Sequence, residues 1–151
     1  MWHYSGSIVD HIDQFPEGAI GFVYKITSLD SPDGKFYIGK KNIHSTRNIK
    51  LGKKELEAQA ALKKPGKKLS KKKVVKESDW KTYYSSEPVL KEEVKSLGPS
   101  LFKREILEIA FSKKQLTYFE IKYQILHRVL ESDNSYNNNI SGHFFKKDLV
   151  V

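Results

Sequence analysis

The chain has 151 residues, a formal net charge of +9, 12% aromatic residues and no cysteine. That length suits one domain with a real core and no large second module, and the missing cysteine excludes disulfides, zinc-thiolate sites and thiol catalysis. No apolar run approaches bilayer-crossing length, and the start MWHYSGSIVDHID lacks the basic-then-apolar order of a signal peptide, so the expectation is a soluble, unexported, cytoplasmic protein with no membrane partner.

Residues 1–20 predict an irregular lead-in, in which Ser7 caps a short helical turn bearing Ile8 and Ile12 and Phe15-Pro16 ends it. His3 and His11 have no partner at metal-ligand spacing and receive no role. Gly21 to Lys41, GFVYKITSLDSPDGKFYIGKK, reads as a β-hairpin. Two short apolar and aromatic runs flank Ser31-Pro32-Asp33-Gly34, where proline presets a turn dihedral and glycine takes a positive one. Each arm carries a tyrosine, Tyr24 in GFVY and Tyr37 in YIG, and the second arm runs into Lys40 and Lys41. Aromatics belong in a half-buried hairpin on packing grounds alone, so the rest of the chain must decide what the tyrosines do.

After the hairpin, NIHSTRNIK carries Arg47 ten residues beyond Tyr37. A guanidinium holds two phosphate oxygens and stabilises charge that grows in a transition state; the plainer reading is one more basic residue in a basic protein. Lys50 to Lys76 then holds eleven lysines against Glu55 and Glu57, an excess of nine that leaves the remainder of the chain balanced. Such a concentration suits a polyanion through counterion release, against the reading of a solvated loop without a partner. Within it, ELEAQAAL predicts a short helix ended near Pro65-Gly66. SDWKTYYSSEP follows, with Trp80, Tyr83 and Tyr84 either stacking on exposed bases or docking a loop on the core. The candidate nucleic-acid contacts are Lys53, Lys54, Lys63, Lys64, Lys67, Lys68, Lys71, Lys72, Lys73 and Trp80.

Pro88 to Leu97 predicts an amphipathic helix with proline in its first turn and Gly98 as its stop. Leu101 to Phe111 predicts a third strand of imperfect alternation. Lys113 to Glu131 is the strongest helix pattern: Leu116, Phe119, Tyr123, Leu126 and Leu130 recur at helical steps, and Ile121, Ile125 and Val129 add a second apolar flank. Between the flanks Glu120, Gln124 and His127 form a narrow polar strip. A carboxylate beside a core-facing stripe is costly unless it is exposed, paired or bound to a cation. A divalent metal explains it, since magnesium is commonly held by one or two carboxylates; an edge-of-core salt bridge is the competing account. ESDNSYNNNISG then forms a polar loop containing Tyr136-Asn137.

GFVY, a turn, YIG, an arginine, a glutamate on a late helix and a Tyr-Asn step resemble, in that order, the GIY-YIG nucleases. Two departures are visible: one residue more than usual separates Gly21 from Tyr24, and Ser85 stands where glycine is usual in a W-x-x-Y-x-G-S text of some phage-type members. The resemblance implies a single α/β (α+β) domain over 1–151, with a small three-stranded antiparallel sheet flanked by helices and a basic, aromatic insertion over 48–86 after the second strand. It implies metal-dependent hydrolysis of phosphodiester bonds in DNA by Tyr24, Tyr37, Arg47, Glu120 and Asn137, with Arg47 on the first helix and Glu120 holding Mg2+, or Mn2+ in its place. Lys40, Lys41 and Arg47 would supply the positive charge a tyrosine with a reference pKa of about 10 needs to act as a base, and either tyrosine fits that role. DNA is the implied partner, acted on by one copy or a homodimer, in a prokaryotic or phage-infected cell. Homing, restriction and attack on host DNA all remain open. The alternative from another class is a basic nucleic-acid-binding protein that keeps the fold and does not cut.

Overall fold

The computed structural model describes residues 1–61 and 71–149, excluding the side chains of Gln59, Ala61 and Lys71. The candidate contacts Lys63, Lys64, Lys67 and Lys68 and the helix stop at Pro65-Gly66 lie outside the described residues. The chain forms two compact units, 1–43 with 79–151, and 44–78. No helix among the described residues is long and apolar enough to cross a membrane.

In the first unit, β1 (Trp2–Tyr4), β2 (Ser7–Val9), β3 (Gly21–Ser28), β4 (Phe36–Asn42) and a later strand, Phe102–Ala110, form one five-stranded sheet. In chain order that later strand is β7, because β5 and β6 belong to the second unit. The order across the sheet is β2-β1-β7-β3-β4, antiparallel except for the parallel β1–β7 pair. This corrects the expected three-stranded antiparallel sheet. The extra strands come from the lead-in, where Ser5 and Gly6, both at positive φ, turn a three-residue hairpin. Trp2 explains why it forms: the indole is 1% exposed, and its N–H donates to the Trp80 carbonyl at 2.7 Å. Ser7 is accordingly in a strand rather than capping a helix.

The β3–β4 hairpin matches its sequence. Gly34, at φ +65°, donates its N–H to the Ser31 carbonyl at 3.1 Å and closes the turn. Alternation along β3 sends Phe22, Tyr24 and Ile26 to one face and Val23 to the other. The first face carries an aromatic core with Trp2, Phe15 and Trp80, covered by α2 (Pro88–Leu97) through Leu90 and Val94. Glu87 caps that helix by accepting the Leu90 N–H at 2.7 Å, and proline occupies its first turn. Full burial of Leu90 contributes about 1.5–3 kcal/mol.

The other face is covered by α3 (Lys113–Leu126), which enters from the Ser112 cap and buries Leu116 and Gln124. Gly21 makes the close approach possible: a Cβ there would lie 2.7 Å from Leu116 Cδ2. The helix ends earlier than its periodicity predicts, and Arg128 takes a left-handed φ of 52° just beyond it. Ile125 of the second apolar flank and Leu126 of the first are left 60% and 66% exposed, whereas Val129 is buried and Ile121 packs against the core.

The second unit pairs β5 (His44–Lys50) with β6 (Lys71–Glu77) in an antiparallel ribbon around α1 (Lys53–Ala61) in the sequence. Lys72 of β6 forms an ion pair with Glu55 of α1 at 2.5 Å.

Candidate active site

Tyr24 and Tyr37 come from neighbouring strands on the same face of the sheet. Register sets Tyr24 opposite Gly39 and Tyr37 opposite Ile26, so the tyrosines are diagonal neighbours across the hairpin. Their ring centroids are 6.1 Å apart. Gly39 permits this: a Cβ there would lie 2.7 Å from the Tyr24 hydroxyl and 2.7 Å from Tyr37 Cε1. On the other side of Tyr24, β7 carries a bulge. Val23 pairs Glu108 and Tyr24 pairs Ile106, which leaves Leu107 without a partner.

The far edge of β4 is closed by the Asn134–Asn137 segment. The Phe36 N–H donates to the Asn134 carbonyl at 2.9 Å, and the Tyr136 N–H donates to the Phe36 carbonyl at 2.8 Å. Asn137 continues the pairing with its side chain. Its Oδ1 accepts the Ile38 N–H at 3.0 Å and its Nδ2 donates to the Ile38 carbonyl at 2.8 Å. The buried Asn137 amide therefore acts as one more strand residue, clasping the strand that carries Tyr37.

The same Ile38 carbonyl accepts a second bond, from Gln124 Nε2 of α3 at 3.1 Å. That donation fixes the amide orientation and leaves Gln124 Oε1 buried without a partner. Gln124 and Glu120, one helical turn apart, line a cleft of about 400 Å³ with Tyr37, Ser86, Glu87 and Asn137. Burial raises the Glu120 pKa above its ordinary value, opposed by the charge of Lys40 and a backbone hydrogen bond from Lys40. Burial likewise raises the Tyr37 phenol to about 12, helped by the Glu120 charge. Tyr24, 1% exposed, is pushed well above the ordinary phenol range by burial, then by Tyr37 and Tyr83.

These directions correct the expected role of the lysines. Lys40 Nζ donates to Thr117 Oγ1 at 3.1 Å, while Lys41 Nζ pairs with Asp79 at 2.5 Å and lies 3.9 Å from the Tyr83 ring centroid. Neither ammonium pairs with the Tyr24 or Tyr37 hydroxyl, and burial raises both phenols. Arg47 is not on a helix. It is exposed on β5 opposite Val74, in the second unit. Trp80 is 0% exposed and packs edge-on against Phe15 and Phe22, so it is a core residue rather than a stacking platform for bases. His127 caps the end of α3 beside Phe36 and Tyr123 and is not among the cleft residues.

Sequence reasoning missed Tyr83 as part of the site. Its ring stands edge-on to Tyr24 at 5.9 Å, and its proximity helps to raise the Tyr24 phenol. Arg104 sets its backbone: the guanidinium donates to the Lys81 and Tyr83 carbonyls, each at 2.9 Å, between the Trp2 and Tyr84 rings. The scarcity of arginine in the chain was the available signal for such a specific use.

A paired-tyrosine hairpin, a late-helix glutamate and an asparagine clasp define a GIY-YIG endonuclease domain. The chain belongs to that superfamily: the family model described as "Putative endonuclease segE, GIY-YIG domain" matches residues 2–140. No curated protein and no solved structure matches the chain.

Proposed function

We propose that this chain is a metal-dependent DNA endonuclease. The observation that carries the reading is convergence: Tyr37 and Glu120 line one cleft, and Tyr24 packs against Tyr37 through the space that Gly39 leaves. The donors suit a hydrated hard cation. Glu120 offers a half-buried carboxylate and Gln124 an orphaned carbonyl oxygen, and the described residues contain no group of three His, Cys, Asp or Glu that would build a closed cage. Glu120 would hold Mg2+ or Mn2+, with water and substrate oxygens completing the shell. Such an ion supplies Lewis-acid polarisation of a phosphoryl oxygen and a more acidic water.

The residues do the positioning. Tyr37, at the cleft wall, orients the attacking water through its hydroxyl, and Tyr24 and Tyr83 hold that hydroxyl face in place. The raised phenol pKa values keep both tyrosines as neutral hydrogen-bond donors in the resting protein. A phenolate base would need cationic charge brought with substrate or metal. Asn137 and Gln124 fix β4 against α3 through Ile38, and so fix Tyr37 relative to Glu120. Arg47 matches the family's arginine by residue type and spacing but stands on β5 of the second unit rather than on a first helix.

Supercoiled plasmid incubated with the native protein and with Glu120→Ala, with and without Mg2+, tests the reading. Nicking or linearisation by the native protein only with metal, and none by a variant that binds DNA normally, is the expected result. If neither protein cuts several DNA substrates with Mg2+ or Mn2+ while both bind them in a salt-sensitive way, the binding-protein alternative replaces it.

A further inference from the structure

The two faces of the β5–β6 ribbon are chemically different. Side chains alternate across a strand, so the register places Ser45, Arg47 and Ile49 with Lys72, Val74 and Lys76 on one face. This face is used in folding: Ser45, Ile49 and Val74 are half-buried, and Lys72 is paired with Glu55 of α1. The other face carries His44, Thr46, Asn48 and Lys50 opposite Glu77, Val75, Lys73 and Lys71. Every described side chain on it is exposed, including Val75 at 61%.

That second face has the composition of a base reader rather than of a solvated lysine surface. Its middle pairs are Thr46 with Val75 and Asn48 with Lys73. Asparagine bonds adenine through N6 and N7, lysine takes guanine O6 and N7, and threonine and valine methyls contact the thymine methyl. A two-stranded ribbon enters the major groove, about 12 Å wide, and is too broad for the minor groove at about 6 Å. Lys50 stands at one end of the ribbon, where a cation suits the phosphate walls.

We propose that this face of the ribbon inserts into the major groove of duplex DNA and gives the endonuclease sequence preference. The inference rests on the reading that the chain acts on DNA. At about 3.3 Å per strand residue and 3.4 Å per base pair, the two middle pairs and their neighbours cover about 3–4 base pairs. Thr46, Asn48, Lys73 and Val75 are the reading residues.

The test is selection from a random duplex pool by the full chain, as native protein in chelator and as Glu120→Ala in Mg2+, beside the Thr46→Ala/Asn48→Ala double variant. The expected result is a specified run of about 3–4 base pairs, lost in the double variant while affinity for unselected duplex changes less than about twofold. Replacing purines in the selected run by their 7-deaza forms, which lack the major-groove N7, should weaken binding about 5- to 150-fold. No enrichment, the same run recovered by the double variant, or indifference to 7-deaza purines would each overturn the proposal. Plasmid cleavage keeps the two claims apart: a native protein that cuts without enrichment refutes the ribbon's role alone. Enrichment without cutting refutes the nuclease reading alone.

Discussion

A methyl group at position 39 would meet the Tyr24 hydroxyl and Tyr37 Cε1 at 2.7 Å each. Tyr24 has little room to retreat, because it is packed against Trp2, Phe22 and Tyr83, so the clash strains Tyr24 and displaces the half-buried Tyr37. Gly39→Ala should therefore cost about 1–3 kcal/mol, a fall in Tm of roughly 2–12 °C for a chain this size. Cleavage should fall further than stability, since both rings are disturbed. Gly52, with nothing within 4 Å of a built Cβ and no contact with either ring, is the control: Gly52→Ala should leave cleavage unchanged. The sequence shows the YIG glycine and its spacing but not this reason, because the overlap of rings across a hairpin depends on rotamers. Glu120 yields a second prediction at this scale. Burial raises its folded pKa above the unfolded value, so the native state keeps the proton longer and stability falls as pH rises past the ordinary carboxylate pKa of about 4.3. Glu120→Gln should melt higher than the native protein at pH 7, with the difference gone near pH 3, and should lose cleavage by on the order of 10²-fold or more. Added Mg2+ should raise the native Tm and leave that of the variant unchanged. A native Tm indifferent to Mg2+ at millimolar concentration would argue against Glu120 as a ligand.

At the scale of elements, β4 matters because it is an edge strand that carries Tyr37. Its outward N–H and C=O groups at Phe36 and Ile38 are taken by Asn134, Tyr136, Gln124 and Asn137 rather than by another strand. Asn137→Ala leaves the Ile38 N–H without its acceptor, which should cost about 1–3 kcal/mol. Asn137→Asp keeps an acceptor for that N–H. Amide exchange at Ile38 should accelerate strongly in the alanine variant and much less in the aspartate variant; equal rates in both would mean the clasp does not hold the edge. Elements with local signals were legible in the sequence. Proline and glycine bracket α2 as read, and Leu101 to Phe111 contains β7. The lead-in was not legible, because three-residue strands are too short to show a period and their pairing with β7 is remote. β5 and β6 were hidden differently. Lysine has little preference for strands, so a run read as a basic insertion did not announce a ribbon, and Arg47 was assigned to a helix.

For the whole molecule, the placement of charge was legible where its geometry was not. The excess of nine positive charges lies between Lys50 and Lys76, and the structure sets 44–78 apart as a unit of its own. Glu120, the proposed catalytic carboxylate, belongs to the other unit, so binding and chemistry should respond separately to substitution. Lys53, Lys54 and Lys76 are exposed and have no place on the proposed reading face. If they neutralise phosphates, replacing all three with glutamine should weaken binding to any duplex. The slope of log K against log salt should become shallower by about 0.9 for each phosphate no longer neutralised. Half-saturating Mg2+ for cleavage should stay where it is once DNA is saturating, because Glu120, the proposed metal ligand, is untouched. The direction of failure is informative at this scale. An unchanged salt slope would assign phosphate neutralisation to other cations, whereas a shifted Mg2+ requirement would mean that the charge of 44–78 acts on the cleft itself.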